Sequence, residues 1–252
     1  ALSERKDWIN NIGIDSDPVG HQCLTYLDDD PEKEFLRSKL FFRESIYKPE
    51  RKLTFKKKNK IKIGYFGNTF CRNSTIILLS RVIELHNKNE FEIYIFDFGL
   101  HQEDEYTKRI KNCVDKYINV KDISDEELIN LAREKDIDIA IDLMAYSLHN
   151  RASIFSTRVA PIQITCIDCC YSTAHNCMDF ILADNHLIKK KDEKYFTEKV
   201  IRMPHAAQPI DDTLMPAREI YKRSDIGIRD GDFVFCCFSN SQKIQLREFS
   251  IW

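Results

Sequence analysis

The feature that most constrains this chain is a series of short, unbroken apolar runs set between helix-like segments. They are Ile61–Phe66 (IKIGYF), Phe91–Phe96 (FEIYIF), Tyr117–Val120 and Ile137–Leu143; a further run ends at Cys166 and another closes on Asp184. Strands buried on both faces read as continuous apolar runs, whereas a strand with one wet face alternates. Between the runs, Ser74–His86, Glu103–Cys113 and Ser124–Glu134 carry helical patterns, and Ser124 with Glu127 has the spacing of a capping box. The order β-α-β-α-β-α-β predicts an α/β fold: a Rossmann-like parallel sheet with helices on both faces and right-handed crossovers. Ligands of such sheets bind beyond the carboxyl ends of the strands. That directs attention to the dense stretch from Asp136 to Asp184, with its polar elbow, short helix and Cys- and His-rich loop.

Ahead of the sheet, Phe35, Leu36, Lys39, Leu40, Phe42 and Ile46 recur near the 3.6 period, and Asp30-Pro31-Glu32 supplies a cap and a first-turn proline. Residues 1–58 therefore read as a helical lead-in plus linker. Pro49 and the basic run Lys48–Lys62 mark its end, the run being read as a solvated linker rather than as a nucleic-acid or lipid patch. Residues 59–208 form the Rossmann-like domain. Residues 209–252 start as a linker, and Phe233–Phe238 (FVFCCF) then restarts the strand pattern, with a helix expected from about Leu246. One strand and half a helix cannot bury their faces, so this last part is expected to be the truncated start of a second Rossmann-like domain.

Composition narrows the partners. The 252 residues are 43% hydrophobic, enough for a sizeable core, and 38 Lys and Arg against 40 Asp and Glu leave a net charge of -2 without the basic footprint of a nucleic-acid binder. No apolar run approaches the 18 residues of a membrane helix, and the first residues are too polar for a secretory leader. An odd count of nine cysteines, with the adjacent pairs Cys169/Cys170 and Cys236/Cys237, fits a reducing compartment, so a cytoplasmic, soluble protein without nucleic-acid or membrane partners is expected.

Four local patterns carry possible chemistry. KIGYFGNTF has Gly64 and Gly67 but lacks the third glycine of a dinucleotide turn, and Gly64 falls inside the strand. Cys166, Cys169, His175 and Cys177, with Cys170 as a spare, have spacings that zinc could use; all lie in one twelve-residue loop rather than in two separated knuckles, so loop or buried thiols are the plainer reading and no metal is expected. Lys243 follows a strand-like run and a Ser/Asn loop, where an ammonium and backbone N–H groups could meet a phosphate, although an exposed lysine is the plainer reading. His205, in Met-Pro-His after a strand, is a weak candidate for chemistry.

Several strings taken together add a resemblance. KIGYFGNTF, LLSRVIELHN, FEIYIFDFG, DIDIAIDLMAYSLHNRASIFSTRVAPIQIT, MDFILAD, EKVIRMPH and FVFCCFSNSQKI are similar, in this order, to the catalytic region of the O-linked N-acetylglucosamine transferase family, the Spindly-like glycosyltransferases, over residues 22–252. Arg158 with Ala160-Pro161-Ile162-Gln163, and Met178 through Asp184, are its more specific strings. The resemblance implies a GT-B architecture, two Rossmann-like domains facing a cleft, with this chain holding the N-terminal half. It implies transfer of N-acetylglucosamine from the donor UDP-GlcNAc to Ser or Thr hydroxyls of protein acceptors, without a metal or cofactor. It also implies that Lys243 and Asn240 contact the donor diphosphate, an electrostatic form of catalysis, and that Tyr146, Arg151, Gln163 and His205 line or support the cleft, with Asn73 at a cleft-lining position.

The chain departs from the family at three places. Asn73 stands where the family's D-F-x-x-H-P segment has a histidine, and an amide cannot take a proton at neutral pH. The elbow Asp142-Leu143-Met144-Ala145-Tyr146-Ser147 keeps the tyrosine but has Ala145 where the family has glycine. The family's G-Y-P-G-T loop becomes Asp168-Cys169-Cys170-Tyr171-Ser172, without either glycine. Two other readings stand beside the glycosyltransferase: a catalytically impaired relative that serves as a protein-interaction module, and a zinc-binding α/β domain built on the Cys loop.

Overall fold

The computed structural model describes residues 2–19, 24, 30–45, 53–166, 170–215, 221–244 and 249–252. Its chain divides into two compact units, Ala1–Asp211 and Asp212–Trp252.

The first unit is built on seven strands: β1 (Ile61–Gly67), β2 (Phe91–Asp97), β3 (Lys116–Asn119), β4 (Ile139–Asp142), β5 (Ile162–Thr165), β6 (Phe180–Ala183) and β7 (Lys199–Arg202). They form one sheet in the order β3-β2-β1-β4-β5-β6-β7, with every neighbouring pair parallel. The α/β parallel sheet expected from the apolar runs is therefore present. The expected strand from Ile137 is shorter, running from Ile139 to Asp142, and just before it the Asp138 carboxylate accepts from Lys62 N (2.9 Å) and Lys58 Nζ (2.9 Å).

Alternation along the central strands divides the core between the two faces. Ile63 and Tyr65 of β1 and Ile93 and Ile95 of β2 pack with Ile76, Leu79 and Ile83 of α3 (Ser74–Glu84) and Ile110 of α4 (Glu105–Cys113). Phe66, Tyr94 and Phe96 face the other way, onto Leu128, Ile129 and Ala132 of α5 (Asp125–Glu134) and Ile154 and Phe155 of α6 (Ser153–Ser156). Gly64 is explained by this packing, since a Cβ there would lie 3.0 Å from the Phe66 ring and 3.2 Å from the Phe96 ring, two rings stacked at 4.4 Å. Its role is space for aromatic packing, not the close approach of a phosphate. The helix starts follow their local signals: Ser124 and Glu127 form the expected capping box, and Asp104 and Thr107 form another at α4.

The lead-in helices, α1 (Leu2–Asn11) and α2 (Pro31–Ser45), belong to this same unit. Asp30 caps α2 by accepting from Glu32 N at 3.1 Å and Lys33 N at 3.3 Å. Arg37, wholly buried, donates to Ile9 O (2.6 Å), Ile12 O (3.2 Å) and Glu34 Oε1 (2.6 Å), so the last carbonyls of α1 are tied to the middle of α2. Phe41 and Phe42 of α2 then reach Tyr146 and His175 of the sheet domain. Most of the basic run from residue 54 to 60 is exposed, and Lys58 is drawn inward. Lys56 and Lys58 pair with Asp136, and Lys58 also pairs with the buried Asp138, because a carboxylate at the foot of β4 needs a cation. Burial alone would lower the Lys58 pKa, but the hydrogen bonds and charges of Asp138 and Asp136 outweigh it and raise it. Ile46, Pro49 and the start of the basic run, residues 46–52, lie outside the described residues.

The second unit holds a turn at Arg223–Ile226 closed by Gly227 in the left-handed region (φ 75°) and a turn at Ser241–Lys243. Phe233–Phe238 is not a strand here. Phe233, Phe235 and Phe238 are exposed, since an extended run becomes a strand only with a neighbour for its backbone groups. The helix expected from Leu246 falls outside the described residues, which begin again at Phe249. No helix among the described residues is long and apolar enough to cross a membrane.

Candidate active site

In the strand order, β1 is followed outward by β2 and β3 on one side and by β4 to β7 on the other. The connections from β1 and β4 thus leave in opposite directions, opening a crevice beyond their carboxyl ends. Along this edge Asp97 pairs with Gly67, and Asp142 pairs with Phe66 on one side and Thr165 on the other.

The loop after β4 is shaped by Asp142, whose carboxylate accepts from Met144 N (2.9 Å) and Ala145 N (3.2 Å). This pair of bonds turns the backbone sharply, and Ala145 enters the left-handed region at φ 42°, as His149 does at 59°. Ala145 stands where the resembled family has glycine, and its backbone holds a conformation that favours glycine. Tyr146 follows, buried beneath Phe41 (ring centroids 4.9 Å apart), and its hydroxyl donates to Thr173 O at 2.5 Å. Across the crevice, Asn68 after β1 donates through Nδ2 to Leu148 O (3.2 Å) and His149 O (3.3 Å), which ties the two loops together.

Gln163 and Arg151, expected to line or support the cleft, are both bound to backbone groups of neighbouring loops. Gln163 is fully buried; its Oε1 accepts from Val159 N (2.9 Å), and its Nε2 donates to Phe155 O (3.0 Å) and Cys177 O (2.6 Å). Fully buried and bound to three loop backbones, its amide is turned away from solvent. Arg151 donates to Asp125 (2.7 Å), Val120 O (3.0 Å) and Ile123 O (2.9 Å), fastening the loop after β4 to the start of α5. Asn73 is the N-cap of α3, accepting from Thr75 N at 3.0 Å. That is helix-starting chemistry, which an asparagine performs well. His205 is exposed in the loop after β7, whose neighbouring Ala207 N donates to Asp184 at 2.8 Å.

Asn240 and Lys243 belong to the second unit, where Asn240 O accepts from Lys243 N at 2.9 Å and both side chains are exposed. Tyr146, Arg151 and Gln163 are thus gathered around one loop system, while Asn73 lies after β1 and His205 after β7.

In the Cys loop, Cys166 is buried with its thiol pushed up to about 12 by burial and by the nearby Asp142 charge. His175 is buried too, and burial, aided by the Arg158 charge, lowers it to about 4. Its Nδ1 accepts from Cys177 N at 3.2 Å and its ring stacks on Phe42. Asp168 and Cys169 lie outside the described residues, and among the described ones no three His, Cys, Asp or Glu side chains cluster as metal ligands. Tyr171, at the position of the loop's second family glycine, is not among the residues with positive φ.

One polar constellation escapes a reading of the sequence: Asp97 at the end of β2, with His101 and Tyr117. Tyr117 Oη donates to Asp97 Oδ2 at 2.5 Å, Gly99 N to Oδ1 at 2.8 Å, and His101 Nε2 lies 3.2 Å from Oδ2. Burial, followed by the Asp97 hydrogen bond and charge, raises the Tyr117 pKa. The available signal was an aspartate closing a strand with a histidine four residues later.

A model of glycosyl transferase family 41 matches residues 37–218. A probable UDP-N-acetylglucosamine–peptide N-acetylglucosaminyltransferase SEC of Arabidopsis thaliana is 24% identical over 199 residues, 77% of this chain and 20% of the relative. A UDP-N-acetylglucosamine–peptide N-acetylglucosaminyltransferase of Caenorhabditis elegans is 22% identical over 147 residues, 58% of this chain and 13% of the relative. An O-GlcNAc transferase mutant of Thermobaculum terrenum shares the fold with a TM-score of 0.69 at 23% identity, over 82% of this chain and 40% of that one. The chain thus spans about a fifth of the length of the first of these relatives. With the family match running through all seven strands and the loops that join them, the chain belongs to glycosyl transferase family 41.

Proposed function

We propose that this chain is the N-terminal part of the catalytic region of a glycosyltransferase that moves N-acetylglucosamine from UDP-GlcNAc to Ser or Thr hydroxyls of proteins. The observation that carries the reading is the family match over 37–218 on a sheet whose β1/β4 crevice is lined by polar loops. In this reading the donor diphosphate meets Lys243 and Asn240, whose neighbouring turn offers backbone N–H groups as well. Tyr146, Arg151 and Gln163 hold the loop after β4 in place from within, and Asn73 and His205 stand on the rim. The free thiols of Cys71, Cys113, Cys166, Cys236 and Cys237 are in keeping with a reducing compartment such as the cytoplasm.

The test is transfer from UDP-GlcNAc to protein acceptors by the full-length protein, beside its Lys243→Ala variant. Loss of a charge that stabilises the leaving diphosphate is expected to lower kcat about 100-fold; equal rates would remove Lys243 from the role. Calorimetry with UDP separates the remaining alternative. A folded full-length protein that binds no UDP is an interaction module on a transferase fold.

A further inference from the structure

We propose that His101, held by Asp97, accepts the proton of the attacking hydroxyl at the β1/β4 crevice. The inference rests on the glycosyltransferase reading and adds to it a catalytic residue and a positioning residue.

Asp97 closes β2 and lies beside Gly67, the last residue of β1. Its side chain is buried, and both oxygens face His101 Nε2, at 3.3 Å from Oδ1 and 3.2 Å from Oδ2. Tyr117 and Gly99 N hold the same carboxylate from the other directions, so its orientation is set by three donors. The imidazole folds back over Gly99. A Cβ at that residue would lie 2.4 Å from His101 Cδ2 and 2.5 Å from Asn68 O, which places the ring beside the first residue after β1. Asn68 is the residue whose side chain crosses to Leu148 and His149 beyond β4, so His101 borders the crevice.

The hydrogen bonds assign the two ring nitrogens. A carboxylate only accepts, so the nitrogen facing Asp97 carries the hydrogen, and in the neutral ring Nδ1 keeps its lone pair. The polar neighbour of Nδ1 is Gln102 O at 3.3 Å, itself an acceptor that cannot satisfy that lone pair. A hydroxyl entering the crevice could. When Nδ1 takes the hydroxyl proton, the hydroxyl oxygen bonds to the anomeric carbon, and the bond from that carbon to the diphosphate breaks with its electron pair leaving on the diphosphate. The imidazolium so formed donates from Nδ1 to Gln102 O and from Nε2 to Asp97, two acceptors already in place. Asp97 orients the ring and stabilises its charge without taking a proton.

A second observation points to a polar occupant. Thr69, in the loop after β1, and Ser147, in the loop after β4, bury side-chain hydroxyls that have no hydrogen-bond partner among the described residues. Buried hydroxyls are ordinarily satisfied. Two unpartnered hydroxyls in the loops that flank one crevice offer hydrogen-bonding groups to a hydroxylated ligand there.

The experiment uses the full-length protein, with UDP-GlcNAc and a protein acceptor, comparing wild type with His101→Gln, His101→Ala and Asp97→Asn. Folding is checked by thermal transitions, and His101 is the safer position because it lies in the loop after β2 and not in a strand or helix. His101→Gln is expected to lose about 100-fold or more in kcat, with the donor KM changed less than about threefold, and to lose the acid limb of the kcat–pH profile. Added imidazole should restore part of the His101→Ala rate, and Asp97→Asn should shift the acid limb. A His101→Gln enzyme within about threefold of wild-type kcat, with the same acid limb, overturns the role of His101 and leaves the transferase reading standing. A folded wild type that transfers nothing overturns both.

Discussion

Ala145 shows how a single residue records a constraint that its side chain does not advertise. Alanine in the left-handed region is strained by about 1–2 kcal/mol, and the two bonds from Asp142 to Met144 N and Ala145 N maintain it. Replacement by glycine relieves that strain but also removes a buried methyl worth about 0.8 kcal/mol, so Ala145→Gly should change stability by less than about 1 kcal/mol. Ala145→Val brings a β-branched side chain into the same backbone and should cost more than about 2 kcal/mol. Chemical denaturation of both variants checks the pair; equal losses would mean that the turn is not held left-handed in solution. The same attention to local chemistry recasts Gln163. Its neighbourhood in the sequence reads as a cleft wall, yet its amide is consumed by three loop backbones. Sequence proximity to a loop could not distinguish a residue that faces a ligand from one that shapes the loop facing it.

At the scale of elements, the attachment of α2 to the sheet domain is the informative feature. Phe42 stacks on His175 at 4.4 Å and Phe41 meets Tyr146 at 4.9 Å, so the lead-in helix covers the loops after β4 and β5. Tyr195 Oη donates to Glu32 at 2.9 Å and adds a third tie. Covered in this way, His175 stays neutral in the fold, with burial and then the Arg158 charge lowering its pKa from 6.5 to about 4. An unfolded chain takes that proton near pH 6.5, so the stability contributed is full at pH 7 and is lost as pH falls from about 6.5 to about 4. The linked loss is on the order of 3 kcal/mol. In His175→Asn, which keeps an acceptor for Cys177 N, the stability gap from wild type should therefore narrow across that window. Parallel pH curves for the two proteins would show that the fold does not hold His175 neutral across that window. The helix itself was legible from its periodicity and its Asp30-Pro31 start. Its docking was not, because a helical pattern shows which face is apolar and not what covers it.

On the scale of the whole molecule, the compact unit closes at Asp211. Arg109 of α4 joins Glu84 of α3 (2.6 Å) to the buried Asp211 (2.5 Å), so the segment after β7 is fastened across the helical layer. Residues 1–211 hold the entire sheet, both of its helical layers and the α2 cover. A fragment of residues 1–211 should accordingly unfold in one cooperative thermal transition with the near-ultraviolet signature of packed aromatics. A broad, non-cooperative melt would show that residues beyond 211 are needed to complete the core. Phe233, Phe235 and Phe238, exposed in the second unit, have the composition of a buried strand without the neighbours that would bury it.

The sequence by itself determined the α/β class, the parallel sense of the sheet, the helix caps and the family, because each is written in short-range patterns: unbroken apolar runs, capping residues at fixed offsets, and ordered strings such as Ala160-Pro161-Ile162-Gln163. Only the tertiary structure decided which polar residues face the crevice. Asp97, His101 and Tyr117 meet because β2 and β3 are neighbours in the sheet and Gly99 lets a loop fold back, whereas Gln163 and Arg151 are drawn inward by backbone groups from distant loops. Those pairings depend on strand order and register, contacts between residues far apart in the chain, which local pattern does not encode.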